Sequence, residues 1–282
     1  MLKRLLQKDE GIQWDRDAEQ SLATVPLPLR PMVRRMVESM AAKENLGLIT
    51  RKYFEKAKEK TRPKKENLSS VMPAKNRRGV PMVLVAGCHE KMAGCENPLL
   101  DTDQWIAAVN DRAQRTDLSE RLRKRVQGDT IYMHDKIKVS ISGCPNGCSR
   151  PQIADIGITG AAVPTFDPAL CTGCGACLEA CPDRALALGD STPLRDGEKC
   201  QGCRKCQKAC PAGAVSLGSF GARLLLGGKL GRHPHLAEPA GVFETPEDLL
   251  AAVGPVLDRY IANAKAGERL ADFLLREKER AS

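Results

Sequence analysis

Eight of the twelve cysteines fall into two copies of one spacing, CTGCGACLEACP from Cys171 to Pro182 and CQGCRKCQKACP from Cys200 to Pro211. Each copy reads C-x2-C-x2-C-x3-C-P. Three thiolates on one tight loop can cap three corners of an iron-sulfur cubane, but the fourth corner faces away and needs a cysteine from elsewhere. The spacing predicts two 4Fe-4S clusters held by Cys171, Cys174, Cys177, Cys181, Cys200, Cys203, Cys206 and Cys210. Zinc would favour two separated C-x2-C pairs, and a disulfide framework would favour an oxidising compartment. The other four cysteines form two looser pairs, Cys88 with Cys95 in GCHEKMAGC and Cys144 with Cys148 in SGCPNGCSRP. Both pairs follow apolar strand-like runs and lie in glycine-bearing loops, where backbone can approach a cluster and offer N–H groups to its sulfurs. Four thiolates suit a third 4Fe-4S cluster and leave no cysteine over; the alternatives are a four-cysteine zinc site or buried inert thiols.

The elements that must position these cysteines follow from periodicity. Helices are expected over Asp15 to Ala23, from Pro31 to near Gly47, and over Thr50 to Lys60, with Met32, Met36 and Met40 as a core stripe. TRPKKENLSSVMPAKNRRG has Pro, Ser, Asn and dense charge without periodicity and reads as a linker. From Pro81 the pattern turns α/β: PMVLVAG reads as a short buried strand, Thr102 to Arg115 and Leu118 to Gln127 as helices, and IYMH and KIKVSIS as alternating strands. After the cysteine block, FGARLLLGGKLGRHPHL reads as a glycine-broken hairpin, followed by helices over Pro246 to Asn263 and Glu268 to Lys278. Strand-rich sequence on both sides of the block suggests an α/β domain that was interrupted and then completed.

Resemblances sharpen the expectation. The two cysteine runs resemble those of bacterial two-cluster ferredoxins, in which the fourth cysteine of each run ligates the other run's cluster. That pairing joins Cys171, Cys174 and Cys177 to Cys210, and Cys200, Cys203 and Cys206 to Cys181. KVSISGCPNGCSRPQIADIGITG resembles the second half of the cluster motif of siroheme-dependent sulfite and nitrite reductases, and GCHEKMAGC resembles its first half. In the anaerobic sulfite reductase C subunit and the dissimilatory sulfite reductases a two-cluster ferredoxin follows this motif, and then a segment like ARLLLGGKLGRHP. The resemblance spans about residues 81–282 and implies that Cys148 also bridges its cluster to a siroheme iron, for sulfite or nitrite reduction. Two features depart from the family. Cys88 to Cys95 is one residue longer than its usual C-x5-C, and its N-terminal substrate-side domain has no clear counterpart. In that domain's place residues 14–60 resemble the small helical domain at the C-terminus of the light-independent protochlorophyllide reductase B subunit.

The expected organisation is therefore α+β: a helical domain over 1–62, a basic linker over 63–80, a sulfite/nitrite-reductase-like domain over 81–164 and 218–282, and an inserted ferredoxin-like domain over 165–217. The formal charge of +9 lies wholly in residues 1–80, with 19 Lys and Arg against 10 Asp and Glu. Such an arm suits an acidic partner, an anionic cofactor or nucleic acid. A siroheme's eight carboxylates would need cations, and Arg77, Arg78 and Arg150 are the candidates. MLKRLLQKDEGIQW lacks an apolar run of signal-peptide length, and no stretch of about 18 apolar residues is present, so a cytoplasmic protein without a membrane span is expected. No dinucleotide fingerprint occurs, and His89, His134, His233 and His235 lack metal-ligand spacing, although His89 could support its neighbouring cysteine. Three functions are open: a family redox protein fed by an electron-donor protein, a siroheme-free electron-transfer subunit docking on a separate catalytic partner, and a nucleic-acid-binding redox sensor. The last lacks a reading-helix pattern and aromatics to support it.

Overall fold

The computed structural model describes residues 12–25, 27, 30–61, 73–88 and 95–281. His89 and the linker residues up to 72 lie outside the described residues. The chain forms two compact units, residues 1–68 with 89–96, and residues 69–88 with 97–282.

In the first unit, helices Arg16–Ala23, Arg30–Lys43 and Arg51–Thr61 surround a small core of Leu22, Val37, Ala41, Ile49, Phe54 and Ala57. Strand β1 (Gln13–Trp14) pairs parallel with β2 (Leu48–Ile49). Asp15 caps the first helix by accepting the Ala18 N–H at 2.6 Å. The expected methionine stripe is corrected at one end: Met36 and Met40 pack on the core, but Met32 is 55% exposed. A four-residue repeat overshoots the 3.6-residue turn, so the two steps between Met32 and Met40 drift around the helix and carry the first-turn methionine outward.

The second unit contributes β3 (Ala74–Lys75), β4 (Val83–Gly87), β5 (Thr130–Ile131), β6 (Ile137–Ser142), β7 (Ile156–Phe166), β8 (Leu186–Ala187), β9 (Leu194–Arg195), β10 (Val215–Leu226) and β11 (Glu238–Phe243). Five of these form one sheet in the order β11-β10-β7-β6-β4, parallel from β4 through β7 and antiparallel beyond. Helices Thr102–Arg115 and Pro246–Asn263 supply Trp105, Val109, Leu249 and Val253 to the core with Ile141, Ile158 and Leu224 of the sheet. Several expectations change in detail. PMVLVAG forms an edge strand in which only Met82 is buried, Val83, Leu84, Val85 and Gly87 are half-buried, and Pro81 and Ala86 are exposed. Leu118–Arg123 is a shorter helix than expected, and IYMH keeps only a two-residue strand before a 3-10 turn at Met133–Asp135. KIKVSIS is buried at both faces except near Lys138, and β6 lies inside the sheet with β4 and β7 on either side.

The two strands that flank the cysteine block pair with each other from Phe166↔Val215 to Ile156↔Leu226. The intervening chain therefore leaves and re-enters at one end of a single antiparallel ladder, closed by the Asp167 N–H donating to the Ala214 carbonyl at 2.9 Å. Inside it, helices Ala176–Glu179 and Lys205–Ala209 and the hairpin β8/β9 enclose a small core containing Cys177, Cys206 and Val215.

Candidate metal centres

Each cysteine run is a loop that turns through two left-handed residues before its helix. These are Gly173 and Gly175 at φ 67° and 77° in the first run, and Gly202 and Arg204 at φ 71° and 55° in the second. This backbone gathers the sulfurs of one run around a hollow. One cavity, of about 320 Å³, is lined by Cys171, Cys174, Cys177 and Cys210, and a tighter one by Cys200, Cys203, Cys206 and Cys181. Each hollow contains three cysteines of one run and the fourth of the other. Among the described residues no two cysteines are joined by a disulfide. Among the described residues no three His, Cys, Asp or Glu side chains converge as a single-ion site would require.

The thiols differ in electrostatic setting. Burial pushes Cys206 up to about 11 and raises Cys177, whereas the Ala176 N–H and the Thr172 hydroxyl hold Cys174 below the ordinary thiol value. Deprotonating the buried pair is thus costly unless positive charge arrives with the ligand, which an iron cluster supplies.

The remaining cysteines are positioned by the parallel strands. Cys88 follows β4 directly, its N–H donating to the Ile141 carbonyl at 2.9 Å, and the Gly143 N–H donates to Cys88 Sγ at 3.2 Å. Asn146 Nδ2 donates to Cys148 Sγ at 3.0 Å. The loop between Cys144 and Cys148 is pinned to β6 by serines. Ser140 Oγ donates to the Ser149 carbonyl at 2.5 Å, Ser149 Oγ donates to the Ile141 carbonyl at 2.8 Å, and the Ser142 and Ser149 hydroxyls lie 2.7 Å apart. Gly157 and Gly160 let the loop lie against β7, since a Cβ at either would sit 2.3 Å or less from a backbone carbonyl oxygen, of Pro151 and Gly143 respectively. The serines and Asn146 escaped the sequence reading; the alternating Ser140 and Ser142 of KVSIS were the available signal.

Cys88, Cys144 and Cys148 belong to the second unit and Cys95 to the first. Of the four, Cys95 and Cys148 are exposed and Cys88 and Cys144 are half-buried. Arg150 is exposed in the left-handed region at φ 62°, where its N–H donates to the Gly147 carbonyl at 2.8 Å, and Arg77 and Arg78 are also exposed. Among the described residues no helix is long and apolar enough to cross a membrane.

Residues 86–277 match the nitrite and sulphite reductase 4Fe-4S domain family, which covers more than half of the chain. The chain belongs to that family. Residues 14–58 match the family of the proto-chlorophyllide reductase 57 kD subunit. Among curated relatives, the coenzyme F420-dependent sulfite reductase of Methanocaldococcus jannaschii is 49% identical over 57 residues, 20% of this chain and 9% of that protein. The C subunit of the anaerobic sulfite reductase of Salmonella typhimurium is 42% identical over 71 residues, 25% of this chain and 20% of that protein. The chain thus spans a fifth or less of the length of these relatives. Among solved structures, dissimilatory sulfite reductase I aligns over 69% of this chain and 49% of its own, with a TM-score of 0.46 at 17% identity. The protein is accordingly a 4Fe-4S-binding member of the sulfite reductase family.

Proposed function

We propose that this iron-sulfur protein relays electrons through two 4Fe-4S clusters in an inserted ferredoxin domain, residues 165–217, to a third cluster ligated by Cys88, Cys95, Cys144 and Cys148. The observation that supports it best is the lining of the two hollows, each with three cysteines of one run and the fourth of the other. A 4Fe-4S cluster, when bound, takes up and releases single electrons. The chain's part is to set the environment. The backbone N–H of Ala185, 3.3 Å from Cys181 Sγ, and that of Gly143, 3.2 Å from Cys88 Sγ, would favour the more negative, reduced state of the group each thiolate holds. Deep placement of Cys177 and Cys206 keeps water from the cluster faces they serve.

Iron and acid-labile sulfide in an anaerobic preparation test this reading, with about twelve of each per chain expected from three clusters. Saturation near eight irons, with Cys88, Cys95, Cys144 and Cys148 still open to alkylation, would remove the third cluster. Cys210→Ala should damage the cluster of the first run, whereas damage confined to the second run's signal would overturn the crossed ligation.

Siroheme coupling is a finer reading, favoured by the exposed thiol of Cys148. Arg150, Arg77 and Arg78 would face the macrocycle's carboxylates, and sulfite or nitrite would be the anion reduced. Acid-acetone extraction of protein made alone and with a partner subunit tests it. Siroheme in either preparation supports the coupling, and its absence from both leaves an electron-transfer subunit that serves a separate catalytic partner.

A further inference from the structure

The two cysteine runs are copies of one motif, yet the fold treats them differently. In the first run Thr172, Gly173 and Cys174 are exposed, and a Cβ at Gly173 would meet nothing within 4 Å. At the matching place in the second run Gly202 is buried, and a Cβ there would lie 2.7 Å from both the amide N and the carbonyl O of Ala162 in β7. The Ala162 N–H donates to the Gly202 carbonyl at 2.9 Å, and Arg223 of β10 donates to Gln201 Oε1 at 2.6 Å and to the Cys200 carbonyl at 3.2 Å. Lys208 Nζ, on the second run's helix, donates to Asn97 Oδ1 at 3.0 Å. The second run is thus seated on the sheet, and the first is turned to solvent.

Charge follows the same division. Residues 165–217 hold six cations and six anions, a neutral total that hides their segregation. Residues 165–182 contain Asp167 and Glu179 and no Lys or Arg, and residues 188–193, which line the first hollow together with Cys210, Ala212, Ala214 and Val215, contain Asp190 and no Lys or Arg; Arg184 and Arg195 lie just outside these stretches, each next to an aspartate, Asp183 and Asp196. Residues 200–217 contain Arg204, Lys205 and Lys208 and no acid. Leu188, at 71% exposure, lines the exposed hollow, and Leu170 at 51% and Leu194 at 63% adjoin its lining residues Cys171 and Pro193 in the chain. Leucines this open beside a redox centre, edged by carboxylates, have the make-up of a transient docking face: an apolar centre that sheds water and a charged rim that steers the encounter.

Resting on the electron-relay reading above, we propose that the first-run end of the insertion is the docking surface for an electron-donor protein whose own face is apolar at its centre and rimmed with Lys and Arg. One electron would pass from the reduced donor to the cluster that Cys171, Cys174, Cys177 and Cys210 would hold. It would move on to the cluster that Cys181, Cys200, Cys203 and Cys206 would hold, the second-run loop being seated against β7 and β10. The donor is oxidised by one electron and the first cluster reduced by one, with no bond made or broken.

Cytochrome c, a redox protein whose haem edge is ringed by lysines, is a suitable probe, run in the reverse direction as an oxidant. The holoprotein is reduced with dithionite, desalted anaerobically and mixed with ferricytochrome c in a stopped-flow instrument over a range of ionic strength. The double variant Glu179→Lys/Asp190→Lys should lower the second-order rate at low salt at least tenfold and flatten its salt dependence. Leu188→Ser, at an open position, should lower the rate at all salt concentrations. Lys199→Glu/Lys205→Glu, on the second-run side, should leave the rate within twofold or raise it. Equal rates in the parent and the Glu179/Asp190 variant, or a larger loss in the Lys199/Lys205 variant, would overturn the proposal. The visible and paramagnetic resonance spectra of each preparation, taken before mixing, separate this outcome from the other: missing insertion clusters defeat the relay reading, whereas intact clusters with indifferent variants defeat only the docking surface.

Discussion

Gly173 and Gly202 occupy the same place in C-x-G-C and share a left-handed backbone, at φ 67° and 71°. Any L-residue at either position pays about 1–2 kcal/mol for that conformation. Only Gly202 also has a strand's backbone within 2.7 Å of where a Cβ would stand. Gly173→Ala should therefore cost about 1–2 kcal/mol, while Gly202→Ala should cost about 3 kcal/mol or more and loosen the insertion from β7. Thermal melting followed by circular dichroism, with loss of visible cluster absorbance, measures both; equal effects would mean that the contact with Ala162 does not hold the insertion. The pair also shows what was legible at this scale. The cysteines announced themselves by type and spacing, because a cluster demands both. The difference between two identical glycines lies in what another strand does nearby, and no local pattern records it. Met32 taught the same lesson in reverse, since its spacing resembled that of a core residue but its position in the first helical turn left it exposed.

The helices of the second unit were legible because their apolar faces repeat, and Pro246–Asn263 was read to its ends. The long ladder of β7 with β10 was not: IGITGAAVPTF is almost wholly buried through Ala162, so it lacks the polar alternation that marks a strand with one wet face. The join between the last two helices was also hidden. There Arg276 Nε and Nη2 donate to the two carboxylate oxygens of Glu268, each at 2.8 Å, the Lys265 N–H donates to Glu268 Oε2 at 2.7 Å, and Tyr260 Oη donates to the Glu268 carbonyl at 2.8 Å. Arg276 foremost, and the Lys265 N–H with it, hold the Glu268 carboxyl down to about 2, from an ordinary value near 4.5. A carboxylate depressed in the folded state stabilises the fold fully above its unfolded value, and that stability is lost as pH falls through the folded one. Glu268→Gln should thus cost about 1.5–3 kcal/mol at neutral pH, and its deficit should close as pH falls from about 4.5 toward 2. A deficit that stays constant with pH in denaturant titrations would assign the effect to packing.

At the scale of the molecule, two opposite electrostatic features sit on different units. Residues 1–68 carry 16 Lys and Arg against 10 Asp and Glu, whereas the exposed hollow of the insertion is lined by Asp190, with Asp167 and Glu179 flanking or within its cysteine run and no cation among the lining residues. The composition showed the basic surplus at once; it could not show the acidic face, because the insertion's charges cancel in the total and only the fold brings residues 165–182 and 188–193 to one hollow. A cationic probe feels both features at low salt, where the screening length is about 30 Å at 0.01 M. At 0.15 M that length is about 8 Å, and the effect of net charge on the encounter is largely screened. A chain lacking residues 1–68 should keep both insertion clusters, since the walls of both hollows lie in the second unit. Having lost a surplus of six positive charges, it should react with cytochrome c several-fold faster than the full chain at 0.01 M salt, and the two rates should converge at 0.15 M. A slower truncated chain would place the docking surface on the basic unit instead, because removing a repulsive charge can slow the encounter only if the contact itself has been removed.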